Sequence, residues 1–488
     1  MSHHKRRRSE SPNPPSNHHQ LQLQKKKPTF ISYLDVPNLP HKIRLLCEIL
    51  STTPSSSSSS LESALSSSGI RPSPSDVEQV LKLSYSSPTA AVKFFRWAGL
   101  HLIHHHSPYS WNLVVDLLGK NHLFDAMWDA IKSMRSERIL SLATFASVFS
   151  SYAAAGRVDE AFITFDLMDQ YGWPRDIVAL NSLLSAICRD FPRQATDFLA
   201  RTRQMIRPDP DTYAILLEGW ETVGDATNAR RVFDEMLALF GWDPANVPAY
   251  DSFLNTLLKS PGGVLDAMRF FEVMRDKRCY PGMKFFRNAL EEFSRTSNHR
   301  DALVLWEEMV GRNRRRPDTQ MYNLMIELQC HANRLELAQR LLDDMVFDGA
   351  FPNSETYNVF LQYMIKNKRL REIATVFKEM VKNEFLPTHA NCASAIKLFL
   401  DSRNPDMAIM VWKCMVGNDI GPLEDCANLL VVELPHAYRL AEAVKYAEDM
   451  IERGIKLNSS TLSKLKQNLT KVGKVNAYDQ ILRKWKLH

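Results

Sequence analysis

Apolar residues recur along this chain at two nested periods. At short range they mark helical stretches of about a dozen residues each, too short to persist without packing partners. At long range the same phrase returns roughly every thirty-five residues between 108 and 458. Met309, Met345, Met380, Met415 and Met450 fall nearly in step, and four of them close a phrase of Phe, Trp or Leu followed three residues later by Met: Trp306, Leu342, Phe377 and Trp412. Earlier copies end at Met168, Met236 and Met274, after Phe165, Phe233 and Phe271. An alanine stands seven residues before most of these methionines: Ala161, Ala229, Ala267, Ala302, Ala338, Ala408 and Ala443. Two helical turns place that Ala and Met on one face. The pattern predicts the seam where two helices of one unit cross, with the methionines as core rather than as a ligand-binding stripe.

Polar punctuation sets the boundaries. Ala155-Gly156-Arg157, Val223-Gly224-Asp225, Ala332-Asn333-Arg334 and Asn367-Lys368-Arg369 separate two helices within a unit. Arg207-Pro208-Asp209, Arg316-Pro317-Asp318 and Phe351-Pro352-Asn353 close units, since Pro cannot continue a helix and Asp or Asn caps the next. The reading is all-α: an α-solenoid of stacked helix-turn-helix hairpins, about ten in number across 108–458. Residues 38–107 hold divergent N-terminal hairpins, with the run Ser55 to Ser60 read as a loop. Residues 459–488 read as a basic helical cap. A stack of this kind has no central pocket by construction, so function is expected on the surface that it presents.

Residues 1–37 carry Lys5, Arg6, Arg7, Arg8, Lys25, Lys26 and Lys27 with only Glu10 and Asp35 as acids. An organelle transit peptide, a nuclear import signal and a disordered basic tail all fit that composition. The net charge of +6 permits a polyanionic partner without demanding one. Seven scattered cysteines form no C-x-x-C pair, and no His-x-Glu occurs, so a zinc-deaminase centre lacks its ligands. The odd cysteine count suits a reducing compartment. No apolar run approaches the roughly 20 residues of a membrane-spanning helix. The arginine run Arg312, Arg314, Arg315, Arg316 reads as a solvated loop, with phosphate contact as the sharper alternative.

The units open on an aromatic or apolar residue followed by a variable one: Trp111-Asn112, Phe145-Ala146, Leu180-Asn181, Tyr213-Ala214, Tyr250-Asp251, Phe286-Arg287, Tyr322-Asn323, Tyr357-Asn358, Cys392-Ala393 and Ala427-Asn428. With the Gly156-to-Ala161 phrase, the Phe-x-x-Met close and the Pro-Asp ending, they resemble the pentatricopeptide repeat, and the array is similar to the plant P-class. The Trp-x-x-Leu-Gly-x-x-Tyr opening of the tetratricopeptide repeat is missing. The resemblance implies a right-handed superhelix that binds single-stranded RNA at about one base per repeat, in a mitochondrion or, as alternatives, a chloroplast or the nucleus.

The family's two reading positions are the residue after the aromatic and the last residue of the unit. Carried over here, they pair Asn112 with Ser141, Asn181 with Asp209, Asn323 with Asn353, Asn358 with Thr388, and Asn428 with Asn458. By the family's rules Asn with Asp favours uracil and Asn with Asn or Ser leans to cytosine, which implies a pyrimidine-biased target. Ala146 with Asp176, Ala214 with Asn246, Asp251 with Gly282, Arg287 with Asp318 and Ala393 with Leu423 depart from the pattern, implying a silent middle. The plain alternative at every pair is helix capping, since Asn and Asp satisfy free backbone donors. The expected function is a sequence-selective RNA-binding adaptor in organelle RNA processing, stability, splicing or translation, with no cofactor, metal, membrane or small-molecule substrate. The rival is a protein-binding scaffold within a ribosomal or RNA-processing complex. An enzyme is disfavoured because about thirty residues after the array are too few for a catalytic domain.

Overall fold

The computed structural model describes residues 30–53, 58–103, 105–312 and 314–487. The basic clusters at 5–8 and 25–27 lie outside the described residues. So does part of the serine run; its end does not form the expected loop, because a helix begins at Ser58 and continues to Ser67. Every regular element among the described residues is helical.

The chain divides into two compact units, Met1–Arg207 and Pro208–His488. In the first, Pro74–Lys82, Pro108–Lys120, Leu142–Ala154 and Ile177–Cys188 pack in succession, each helix on the next. In the second the same succession runs through Pro210–Val223, Val247–Lys259, Met283–Thr296, Thr319–His331, Ser354–Lys366, His389–Asp401, Glu424–Glu433 and Ser459–Lys471. Each of these first helices also packs on the second helix that follows it in sequence. Every helix touches only near neighbours in the chain, which is the plan of an α-solenoid.

The core follows the Ala–Met seam. Met168, Met236, Met274, Met309, Met345, Met380, Met415 and Met450 are all fully buried, as are the seven alanines two turns before them. Aromatic rings fill the wider gaps. Phe233 stacks on Phe253 at 4.3 Å between centroids and meets Phe270 edge-on at 5.3 Å, an arrangement that adds to the area it buries.

Capping fixes where the first helices start. The side chains of Asp176, Asp209, Asp318, Asn353 and Thr388 accept the backbone N–H of the third residue of the helix that each precedes. Inside each hairpin the turn needs one residue in the left-handed region. Gly156 supplies it at φ +75°, whereas Asn333, Lys368 and Arg403 adopt it at φ 55–59° despite their side chains.

One turn departs from the repeat. A π-turn spans Glu308–Arg312. Glu308 is buried there and pairs with Arg275 at 3.2 Å and Arg312 at 2.9 Å. The first arginine of the 312–316 run is therefore held in an ion pair rather than wholly solvated.

Candidate nucleic-acid interface

Each opening residue lies on the second turn of a first helix, and each closing residue immediately precedes the next first helix. Asn112 meets the side chain of Ser141 and Asn323 that of Asn353, whereas Asn358 and Asn428 reach the main-chain N–H of Thr388 and Asn458.

Two repeats share one arrangement. Thr356 Oγ1 donates to Asn323 Oδ1 at 2.6 Å and accepts the N–H of Asn353 at 3.1 Å. Asn323 Nδ2 then donates to Asn353 Oδ1 at 3.3 Å and Glu355 Oε2 at 3.1 Å. At the start of the array, Thr144 Oγ1 donates to Asn112 Oδ1 at 2.7 Å and accepts the N–H of Ser141 at 3.2 Å, while Asn112 Nδ2 faces Ser141 Oγ at 3.4 Å.

Two other repeats dispense with the threonine relay. Asn358 Oδ1 accepts the N–H of Thr388 directly at 2.8 Å and also Asn391 Nδ2 at 2.9 Å. Its amide hydrogens go to the carbonyls of Ser354 at 2.7 Å and Leu386 at 3.0 Å. Asn428 repeats this with the N–H of Asn458 at 2.8 Å and the carbonyls of Glu424 at 2.7 Å and Lys456 at 3.2 Å. In these two repeats every hydrogen-bonding group of the amide has a backbone partner. Asn181 lies on Ile177–Cys188 of the first unit and Asp209 caps Pro210–Val223 of the second.

The departures from the pattern have local causes. Asp251 occupies the place of an opening Asn and does the same work: its Oδ1 accepts the N–H of Gly282 at 2.6 Å. A Cβ on Gly282 would stand 2.5 Å from Asp251 Oδ2, which explains why no Asp or Asn closes that unit. Burial pushes the Asp251 carboxyl up to about 6, against the pull of the Gly282 and Phe285 amides and the charges of Lys284 and Arg315. Arg287 is ion-paired to Asp318. Glu221, also buried, binds Lys284 at 2.7 Å and Lys259 at 3.6 Å across three successive first helices. The cations of this middle region are thus matched by carboxylates of the protein itself.

The residue three positions before each opening Asn lies one helical turn away on the same face. It is exposed Tyr109 and Val178 in the first unit, but Gln320, Glu355 and Asp425, also exposed, in the second. Of these five, only Tyr109 and Val178, beside Asn112 and Asn181, are apolar. A cleft of about 430 Å³ opens between the first helices Leu142–Ala154 and Ile177–Cys188, lined by Ala146, Ser150, Ser182, Ser185 and Arg189. Thr144, Thr356 and Asn391, which hold the amides of Asn112, Asn323 and Asn358, were not singled out in the sequence. Their signal is a hydrogen-bonding residue at the third position after the cap.

Among the described residues no group of His, Cys, Asp or Glu is placed to hold a metal ion, and no helix is long and apolar enough to cross a membrane.

Comparison with known proteins gives consistent likenesses. A sequence model of the PPR repeat family matches residues 317–362, a pentatricopeptide repeat domain matches 340–401, and a model described as pentatricopeptide repeat-containing protein matches 112–236. A mitochondrial pentatricopeptide repeat-containing protein of Arabidopsis thaliana is 37% identical over 161 residues, which is 33% of this chain and 31% of the relative. A second one from the same plant is 24% identical over 404 residues, covering 82% of this chain and 70% of the relative. The Arabidopsis small ribosomal subunit protein mL103 is 25% identical over 286 residues, 58% of this chain and 68% of its own length. Among solved structures, maize PPR10 in complex with an 18-nucleotide RNA element aligns over 91% of this chain and 67% of its own, with 20% identity and a TM-score of 0.43.

Proposed function

Because this chain is a pentatricopeptide repeat protein, we propose that it is a single-stranded RNA-binding adaptor of plant mitochondria, without catalysis of its own. The observation that carries this reading is the repeated juxtaposition of a side-chain amide with a capping residue at one register of successive first helices. Within that row the amides of Asn112 and Asn323, whose NH2 groups meet side chains rather than main chain, are the ones at which unpaired bases dock. The mitochondrial relatives support the same compartment. The adaptor would mask a transcript segment or recruit other factors to it. The first unit is its strongest contact, since Tyr109 and Val178 offer the surfaces on which bases stack. By the family's rules the pairs closed by Ser141 and Asn353 lean to cytosine.

The test is selection of bound sequences from a randomised RNA pool at moderate salt, followed by Asn112→Ala and Asn323→Ala. A shared motif in the selected RNA, weakened at one nucleotide by each substitution, supports the reading. Absence of any motif, or a motif indifferent to both substitutions in a protein of unchanged helicity, removes it.

A second reading, a protein-binding subunit of a ribosomal or processing complex, is favoured by one surface. Phe347 and Phe351 are 90% and 70% exposed at the end of the helix Leu335–Phe347, next to exposed Asp343 and Asp344. A stable protein partner recovered by pull-down, in the absence of any RNA motif, supports this reading over the first.

A further inference from the structure

The two threonine-relay repeats differ from the others in what their amides leave available. In the Asn323 repeat the orientation of the amide is fixed by chemistry. A backbone N–H can only donate, so the Asn353 N–H takes a lone pair of Thr356 Oγ1, and the threonine hydrogen is left for Asn323 Oδ1 at 2.6 Å in preference to Asn353 Oδ1 at 3.1 Å. The 2.6 Å separation is that of an O–H···O bond, shorter than an N–H···O bond prefers. A flipped amide would also set its oxygen against Asn353 Oδ1 and the Glu355 carboxylate, both acceptors. The carbonyl of Asn323 is therefore directed at the buried threonine, and its NH2 group at two side chains that are themselves exposed. The Asn112 repeat has the same relay through Thr144, with the NH2 group beside Ser141. In the Asn358 and Asn428 repeats, by contrast, the NH2 group is held by two backbone carbonyls, which cannot swing aside.

Resting on the RNA-binding reading above, we propose that Thr144 and Thr356 are positioning residues that set base selectivity. They hold Asn112 and the buried Asn323 with the amide nitrogen toward side chains of the next unit, so that these two repeats, once a side chain there gives way, select bases whose central Watson–Crick ring nitrogen is an acceptor. Cytosine and adenine meet that condition. Uracil and guanine carry a hydrogen at the same place, which would face the amide hydrogens. An incoming base replaces the exposed Glu355 carboxylate, which returns to water, while Asn353 keeps its cap on the Thr356 N–H. The ties of Asn358 and Asn428 make those residues links between hairpins rather than selectors.

The experiment compares the parent protein with Thr356→Val, Thr356→Ser, Thr144→Val and Thr144→Ser by selection from the randomised RNA pool, with circular dichroism on each. Valine keeps the shape of threonine and removes the hydroxyl; serine restores the hydroxyl. The nucleotide facing each repeat is the one whose preference is lost in Asn323→Ala or Asn112→Ala. In the parent, cytosine or adenine is expected over uracil and guanine at both nucleotides. Each valine variant is expected to lower that ratio about tenfold at its own nucleotide only, and each serine variant to retain it. Valine variants that keep the parental ratio, or that weaken every nucleotide equally as general loosening would, overturn the assignment. Enrichment of uracil in the parent overturns it too. A parent that selects no motif overturns the RNA reading itself, and the assignment with it, so the two failures are told apart.

Discussion

Replacing Asp251 with Asn should stabilise the protein at neutral pH and leave it nearly unchanged in acid. Asp251 is 8% exposed and its carboxyl sits at about 6 instead of 3.8, because burial disfavours the charged form more than its neighbours favour it. The unfolded chain releases this proton near 3.8 and the folded chain near 6. Between those values the folded state binds more protons, so stability falls as pH rises, and the loss is complete above about 6. A displacement of that size corresponds to about 3 kcal/mol. An amide has no charge to desolvate. Asn358 and Asn428 show the partners that it would find: the carbonyl four residues back and that of the residue two before the cap. In the Asp251 repeat these are Val247 and Tyr280. The net gain expected of Asp251→Asn is about 1–3 kcal/mol at pH 7.5, shrinking by roughly 2 kcal/mol at pH 4. Amide hydrogen exchange of Val247–Lys259 and Met283–Thr296 measures it locally, and comparing variant with parent at each pH cancels the intrinsic dependence of exchange. A difference between the two proteins that is the same at pH 4 and pH 7.5 refutes the reasoning.

Three further outcomes follow from the packing and the turns. Phe233→Ala should cost about 3–5 kcal/mol, read as loss of exchange protection in Ala226–Phe240 and Val247–Lys259, because Phe233 is fully buried and stacks on Phe253. Gly156→Ala should cost about 1–2 kcal/mol in urea unfolding through backbone conformation alone, since a Cβ at φ +75° meets nothing within 4 Å, and Lys368→Gly at φ 56° should act in the opposite direction by about 0.5–1 kcal/mol. Iodoacetamide at pH 8 should modify Cys414 first, seen by mass spectrometry of timed samples. It is the only half-exposed thiol of the seven, while burial holds Cys47, Cys330 and Cys392 at about 12.

The hairpin plan was legible because its signals are local and repeated. Met309, Met345 and Met380 mark the seam, and Asp318, Asn353 and Thr388 mark the starts of first helices, each by a residue type with one physical job. The π-turn at Glu308–Arg312 left no such mark, since it depends on a carboxylate drawn inward between Arg275 and Arg312 from different helices. The helix through Ser58 was hidden by a serine run whose composition suggests a loop. At the interface, residue type located the amides but not their state. Asn323 and Asn428 are the same residue at the same register, and their sequence surroundings do not announce that one amide faces side chains and the other backbone. The hydroxyl alone does not decide it, since Thr461 stands at the third position after Asn458 as Thr356 does after Asn353; what differs is that Asn428 takes the capping N–H directly.

Asp251, Asn358 and Asn428 each accept a hydrogen bond from the main chain at the start of the hairpin that follows: the N–H of Gly282, Thr388 or Asn458. A main-chain N–H is present whatever residue follows, so the Asn358 and Asn428 joints accept any neighbour that supplies that N–H, whereas the Asp251 joint requires a glycine. Recombination among units of the first kind leaves their junctions matched, and a lineage of such proteins can lengthen or shorten its track there without redesigning the couplings.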